Sequence, residues 1–189
     1  MTFKRTRCAH CKGKFQPERQ NQKVHVECID AYMEEQKAKE EREAAKKARM
    51  AAKVERAETR RRKEASKTVG QRRTEVQVEL NRWVVHVRDV DLPCISCGCT
   101  HARWNAGHYR SRGSAVHLSI EPTNVHKQCV RCNLELHGNL IEYRKGLLAR
   151  YGVEYVEAIE ADERARHYTP EEFTAMKLDY RAKVKEMRG

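Results

Sequence analysis

Three cysteine pairs, each separated by two residues, constrain the fold of this chain more than any other feature. They are Cys8 and Cys11, Cys94 and Cys97, and Cys129 and Cys132. This spacing lets two thiolates bind one tetrahedral ion. The first residues, MTFKRTRCAH, lack the apolar segment of a secretory signal, so a disulfide framework in an oxidising compartment is not indicated. The pairs therefore predict zinc sites in a cytoplasmic protein.

The composition leaves little material for a large hydrophobic core. The 189 residues are 39% hydrophobic and 35% charged, which indicates one or two small domains that bound metal helps to hold together. No stretch approaches the roughly 18 apolar residues that a membrane span requires. No membrane partner is therefore expected.

The positive charge is concentrated in the first part of the chain. The formal net charge is +12, and residues 31–75 alone carry fifteen Lys and Arg against nine Asp and Glu. A basic segment of this kind favours a polyanionic partner, because neutralising phosphates releases condensed counterions. The alternative is a solvated charged face with no ligand.

The first thirty residues contain a second set of zinc ligands. Cys8 and Cys11 are followed, after a polar loop, by His25 and Cys28. Four such ligands close a structural site and stabilise a segment too short for its own core. His10 competes with His25 for the fourth position, and a histidine beside two valines is also typical of a half-buried strand residue.

Helices dominate the remaining pattern, and the predicted class is a mostly helical α+β fold. Residues 30–67 contain no Gly or Pro and are rich in Ala, Glu, Lys and Arg, which predicts one long helix. Its most basic turn is a phosphate-binding arm or a solvated spacer; it contains Arg60, Arg61, Arg62 and Lys63. Thr169, Pro170 and Glu172 form the capping box of a C-terminal helix.

These signals divide the chain into four segments. Residues 1–30 are the N-terminal zinc knuckle, and residues 31–73 are the long charged helix with its linker. Residues 74–144 form a zinc-clamped core, and residues 145–189 form a C-terminal helical segment. The first boundary follows Cys28, and Gly70 marks the hinge before the core.

The core segment carries the groups with chemical potential. Cys94, Cys97, Cys129 and Cys132 are predicted to bind one zinc ion, whose four thiolate ligands leave no position open for activating water. That zinc is therefore structural. Many groups that bind metals or transfer protons lie in the 31 residues between the two pairs or directly after Cys132. They are His101, Asn105, His108, His117, Asn124, His126, Asn133 and His137.

Four stretches of this core resemble a known family. DLPCISCG, WNAGHYR, NVHKQCVRCN and GNLIEYR are similar to the zinc-clamped HNH, or ββα-metal, nucleases, and more specifically to the NinG/Rap recombination endonucleases of lambdoid phages. The resemblance covers nearly the whole chain and is most specific between Asp91 and Arg144. It implies an HNH-like ββα-metal core and a structure-selective DNA endonuclease that cleaves Holliday junctions and D-loops by metal-dependent phosphodiester hydrolysis.

The resemblance also implies roles for individual residues. His108 takes the position of the general base, Asn124 that of the Asn that orients it, and Asn133 that of the metal ligand on the following helix, with His137 beside it. Many HNH nucleases have an acidic metal ligand directly before the base, whereas this chain has Gly107. Either Asn105, His101 or His126 replaces that ligand, or phosphate oxygens and water fill more of the shell of the ion. Oxygen ligands favour Mg²⁺ as the catalytic ion, and a histidine favours Mn²⁺.

Expected partners and alternative functions follow from the resemblance together with the composition and charge of the chain. The expected partner is branched or duplex DNA, with Arg110 and Arg112 beside the cut and the basic turn of the long helix on the phosphate backbone. A homodimer and recombination proteins of the phage or its host are open as further partners, and the location would be the host cytoplasm. The alternative functions are a non-catalytic zinc protein that binds nucleic acid and an HNH nicking nuclease without branch selectivity.

Overall fold

The computed structural model describes Lys4 and residues 6–187. The chain divides into two compact units, Met1–Ser66 and Lys67–Gly189. As predicted, the fold is mostly helical with two small antiparallel sheets of two strands each. No helix in the described part of the chain is both long enough and apolar enough to cross a membrane.

The first unit begins with a small hairpin. Strands β1 (Thr6–Arg7) and β2 (Lys14–Phe15) pair antiparallel, and a short 3-10 turn, Val26–Cys28, leads into helix α1 (Ile29–Ala65). Cys8, Phe15 and Val24 form its only buried apolar cluster among the described residues. None of the side chains of α1 is buried, because its sequence lacks the apolar stripe that would pack against a core.

The second unit begins earlier than the sequence analysis predicts. Helix α2 (Val69–Trp83) is started by Thr68, whose hydroxyl accepts a hydrogen bond from Gln71 while the Gln71 side chain accepts from the Thr68 backbone. This capping box fixes the helix start at Val69, so the predicted boundary at 73/74 falls inside α2. The boundaries at 30/31 and 144/145 likewise fall inside α1 and α3.

The remaining elements surround a two-stranded ribbon. Strand β3 (Trp104–His108) pairs antiparallel with β4 (Val125–Cys129), with Trp104 opposite Cys129 and His108 opposite Val125. The helices that follow are α3 (Leu140–Tyr151), α4 (Val153–Glu160) and α5 (Pro170–Glu186). A π-helical turn, 84–88, extends α2, and a second one, 131–135, follows β4.

The two faces of the β3–β4 ribbon pack against different helices. Side chains alternate between faces along a strand, and Ala106 and Val125 lie in the core that α2 and α5 complete. On the opposite face, Tyr143 of α3 donates a 2.9 Å hydrogen bond to the Gly107 carbonyl and lies 3.1 Å from Nδ1 of His126. Helices α2 and α5 on one face and helix α3 on the other therefore hold β3 directly beside His108.

Helix α3 approaches the backbone of the Cys94–Cys97 loop so closely that only glycine fits at position 146. A Cβ atom on Gly146 would lie 1.8 Å from the carbonyl oxygen of Ile95. Real Cβ atoms do not come this close to a backbone oxygen, so one of the two segments would have to move.

We therefore expect Gly146→Ala to lower the free energy of unfolding of the second unit by about 3 kcal/mol or more. Gly70→Ala is the matched control, since its Cβ would meet nothing nearer than the Thr68 hydroxyl at 3.9 Å, and a helical alanine gains about 0.5 kcal/mol over glycine. Denaturant unfolding of the full chain measures both. Equal stability of the two variants would contradict this packing.

Candidate metal centres and candidate active site

The N-terminal cluster consists of Cys8, Cys11, His25 and Cys28. Its four ligand atoms all lie within 4.8 Å of one another, and Cys11 Sγ is 3.3 Å from His25 Nδ1. Three thiolates and one imidazole at these separations fit a tetrahedral zinc ion. This cluster could therefore hold zinc.

The competing ligand, His10, lies outside this cluster. Its Nδ1 atom is 3.3 Å from a carboxylate oxygen of Glu35. His25 is instead placed by Phe15, whose ring centroid lies 4.7 Å from that of the imidazole. The structure thus assigns the fourth position to His25 and pairs His10 with a residue of α1.

The core cluster consists of Cys94, Cys97, Cys129 and Cys132. Its sulfur atoms also lie within 4.8 Å of one another, and Cys97 Sγ is 3.7 Å from Cys129 Sγ. A tetrahedral zinc with bonds of about 2.3 Å to sulfur places its ligands about 3.8 Å apart. The observed spacing fits that ion, so this cluster could hold a second zinc.

Donors around the core cluster favour the thiolate form of its cysteines. The backbone N–H of Cys129 lies 3.3 Å from Cys94 Sγ, and that of Cys132 lies 3.4 Å from Cys129 Sγ. The Asn139 amide lies 3.4 Å from Cys132 Sγ. Such contacts orient metal-bound thiolates and offset part of their negative charge.

His108 ends β3 at the opposite end of the ribbon from the core cluster. Its side chain is half-buried, and its Nε2 atom lies 3.0 Å from the Ser119 carbonyl oxygen and 2.6 Å from the amide nitrogen of Gln77. Burial lowers the pKa of His108 below 6.5; the Ser119 carbonyl partly opposes this shift, and Arg112 adds to it. The imidazole is therefore neutral near pH 7 and able to accept a proton.

Asn124 fixes the loop that follows His108, and its described side-chain hydrogen bonds go to Arg110 and Leu118 rather than to the imidazole. The fully buried side chain accepts a 2.8 Å hydrogen bond from the Arg110 N–H and donates to the carbonyls of Arg110 at 2.9 Å and Leu118 at 3.2 Å. The Asn124 carbonyl also accepts from the Tyr109 N–H at 2.9 Å. Asn124 therefore acts on His108 through the backbone.

Gln128 fills the space that a side chain at position 107 would need. A Cβ atom on Gly107 would lie 2.1 Å from the Gln128 side-chain oxygen. The Gln128 amide nitrogen is held by Ser96 and by the Gly138 carbonyl, both at 2.7 Å. An aspartate at position 107 would overlap this fully buried side chain.

The other residues proposed for a catalytic ion have different environments. Burial, followed by the charge of Arg88, lowers the pKa of His126 to about 3. Its Nδ1 and Nε2 atoms lie 3.1 and 3.4 Å from the hydroxyls of Tyr143 and Tyr155, so it is a core residue and not a ligand at the surface. His101 and His137 are exposed, whereas Asn105 and Asn133 are half-buried.

Carboxylates and histidines do not assemble a third metal site in the described part of the chain. Only the two cysteine clusters bring three or more His, Cys, Asp or Glu ligand atoms together there. No hydrogen bond among the described residues joins the His108 side chain to Asn124, Asn133 or His137. A catalytic ion would thus need amide, phosphate and water oxygens.

The candidate DNA-binding arginines differ in their freedom. The Arg110 guanidinium donates to the carbonyls of Ile159, Glu160 and Asp162, and one of its nitrogens lies 2.6 Å from a Glu163 carboxylate oxygen. Arg110 therefore ties the His108 loop to the end of α4. Arg112 and the four basic residues at 60–63 have exposed side chains.

Sequence reasoning missed both glutamines that contact the residues around the candidate base. Gln77 lies on the buried face of α2, and Gln128 lies on β4. Neutral amides carry no spacing pattern. The pairing of the strands brings Gln128 to position 107, and the packing of α2 brings Gln77 to His108. The buried residues of α2 also include Arg72 and Glu79, so a polar residue on this helix gave no specific signal for Gln77.

We expect the full chain to bind two zinc ions and Cys97→Ala to bind one, because the core cluster loses a ligand. Cys99→Ala is the matched control, since Cys99 is a neighbouring thiol outside both clusters and should leave the zinc content unchanged. Elemental analysis of the purified proteins measures the ratio. Two zinc ions in the Cys97 variant would contradict the assignment.

Comparison with known proteins places the chain among phage proteins. It is 47% identical to Protein ninG of Salmonella phage P22 over 105 residues, and these residues make up 55% of this chain and 52% of that protein. It is 46% identical to Protein ninG of Escherichia phage lambda over 106 residues, 56% of this chain and 52% of that protein. The chain spans about half the length of the curated relatives it matches.

The family comparison covers more of the chain. No solved structure gave a significant match. A family model described as Bacteriophage Lambda NinG protein matches residues 1–189. The chain therefore belongs to the NinG family.

Proposed function

We propose that this NinG family member is a structure-selective DNA endonuclease that cleaves branched recombination intermediates, such as Holliday junctions and D-loops, by metal-dependent phosphodiester hydrolysis. The observation that carries the proposal is His108: a half-buried, neutral imidazole with Nε2 bound on the protein side, at the end of a ribbon whose other end carries a zinc-binding cluster. HNH nucleases place their general base on such a ribbon.

His108 supplies the proton transfer in this proposal. Its Nδ1 atom takes a proton from a water molecule as the water oxygen bonds to phosphorus and the bond from phosphorus to the 3′ oxygen breaks. The Ser119 carbonyl orients the ring, because it lies 3.0 Å from Nε2. Asn124 keeps residues 109–110 in place through their backbone. The core zinc takes no part, since four sulfur ligands leave it no open position.

Amide oxygens are the donors available for a catalytic ion. Asn133 and Asn105 are half-buried and would offer carbonyl oxygens, which suit Mg²⁺, while His137 would favour Mn²⁺. When bound, such an ion supplies charge neutralisation at the phosphate and the leaving oxygen. Gln128 fills the space of an acidic ligand beside His108, so the ion would be held by few protein groups.

Selectivity for branched DNA enters through the family relationship alone. Two features of the chain support a DNA partner of some kind: a net charge of +12 and a helix, α1, with no buried side chain. A homodimer and phage or host recombination proteins also remain proposals. Apart from the two cysteine clusters, histidines and carboxylates form no metal-binding cluster among the described residues. This favours the second candidate function, a zinc protein that binds DNA without cutting it. An HNH nicking nuclease without branch selectivity is the third.

We expect His108→Ala to cut a four-way junction about 100-fold more slowly or worse, because the general base is lost, while it still binds the junction and retains both zinc ions. His86→Ala is the matched control, since His86 is an exposed histidine on the turn 84–88. Single-turnover cleavage and a gel-shift assay measure the two effects. Cleavage by the His108 variant at the wild-type rate would rule out the base.

The pH profile is a second readout of the same assay. The base must be unprotonated, and burial lowers the pKa of His108 from its ordinary value of 6.5. Activity should therefore be complete at pH 7 and fall as the pH drops through a value below 6.5. A half-maximal rate at a pH well above 7 would assign the profile to another group.

Linear duplex and D-loop substrates, tested side by side with the junction, separate branch selectivity from general cleavage.

The basic turn of α1 gives a prediction for binding. Changing Arg60, Arg61, Arg62 and Lys63 to Gln should reduce the slope of log affinity against log salt by about 3 to 4, because each phosphate contact contributes about 0.9. Changing Lys37, Lys39, Lys46 and Lys47 to Gln removes the same charge elsewhere on α1 and should reduce the slope less. Equal losses from both variants would mean that the turn has no specific role.

A further inference from the structure

Gln77 of α2 reaches the candidate base from inside the protein. Its side chain is buried, and its amide nitrogen lies 2.7 Å from the Ser119 carbonyl oxygen and 2.6 Å from His108 Nε2. His108 Nε2 itself lies 3.0 Å from the same Ser119 oxygen. One amide nitrogen, one imidazole nitrogen and one carbonyl oxygen are therefore in mutual contact, while the Asn81 side-chain oxygen lies farther from the same amide nitrogen, at 3.5 Å.

The hydrogen atoms available decide how this contact is made. An amide nitrogen can only donate, and it carries two hydrogen atoms. Both of its neighbours are satisfied when one hydrogen points to the Ser119 oxygen and the other to a bare His108 Nε2. If Nε2 carried a hydrogen, two donors would face each other at 2.6 Å.

The opposite orientation of the amide does not remove the conflict. Exchanging its oxygen and nitrogen, an exchange that hydrogen-bond partners must decide, would put the Gln77 oxygen 2.7 Å from the Ser119 oxygen. Two acceptors would then be in contact inside the protein, away from water. The remaining arrangement has a bare Nε2 and a hydrogen on Nδ1. It also leaves two acceptors facing each other, Nε2 and the Ser119 oxygen, but at 3.0 Å this is the longest of the three separations, so this arrangement costs least.

We propose that Gln77 is a positioning residue that sets the tautomer of His108 and, in the protein without DNA, holds the exchangeable hydrogen on Nδ1. Its significance for catalysis rests on the proposed function, since a base that acts through Nδ1 must have that nitrogen bare. The resting contact is then an inhibitory one. Release requires the Gln77 amide to leave Nε2, after which Nε2 gains a hydrogen and donates it to Ser119, while Nδ1 gives up its hydrogen to water.

The tautomer can be read directly by two-bond ¹H–¹⁵N spectroscopy of the zinc-loaded full chain without DNA at about pH 7.5, where the imidazole is neutral. We expect His108 of the wild type to carry its hydrogen on Nδ1. In Gln77→Leu the Ser119 carbonyl is the one partner left at Nε2, so the majority tautomer should shift to Nε2–H. Val78→Ala, an exposed change on the same helix, should leave the spectrum unchanged.

A second variant keeps the test decisive if Gln77→Leu does not fold. Gln77→Glu has nearly the same shape, but its carboxylate can only accept, so it should hold the hydrogen on Nε2 and raise the pKa of His108 against the effects of burial and Arg112. A wild-type Nε2–H tautomer, or a His108 pKa that Gln77→Glu leaves unchanged, would overturn the proposal. Because neither measurement involves DNA, an inactive protein with the expected tautomers would instead reject the nuclease function and leave Gln77 in its role.

Discussion

The convergence of four sulfur atoms, at separations that fit one zinc ion, is the constraint on which the second unit depends. Cys94 and Cys97 lie before β3, and Cys129 and Cys132 lie at the end of β4, so the cluster ties together segments more than thirty residues apart. Because Cys129 pairs with Trp104, it also fixes one end of the ribbon register. The side-chain alternation along β3 then determines which face His108 occupies.

Two neutral glutamines lie beside Gly107 and His108. Gln128 fills the space beside Gly107, and Gln77 contacts His108 from the α2 side. A neutral amide buried with its partners costs far less desolvation energy than a carboxylate. The ribbon is therefore packed as a core element on both faces, and His108 remains half-exposed as the group able to exchange protons with water.

The cysteine spacing and the helical periodicity predicted much of this structure, because both are local properties of the sequence. They gave the mostly helical α+β class, the extent of α1 to within two residues at each end, and the ligand sets that the two clusters bring together. The predicted segment boundary at 73/74 falls inside α2, since the Thr68–Gln71 capping box was overlooked. The contacts of Gln77, Gln128 and Arg110 could not be predicted, because they join residues 10 to 53 positions apart through strand pairing and helix packing.

In the function we propose, a sulfur-bound zinc holds the ribbon, and His108 at the end of that ribbon takes part in a hydrolysis that requires a different ion. The most direct test is cleavage of a four-way DNA junction by protein of measured zinc content, with and without added Mg²⁺ or Mn²⁺. We expect unchanged zinc in every sample and strand cleavage only when Mg²⁺ or Mn²⁺ is present. Zinc-loaded protein that binds the junction but leaves it, and every other branched or linear DNA, intact with both ions would contradict the proposed function.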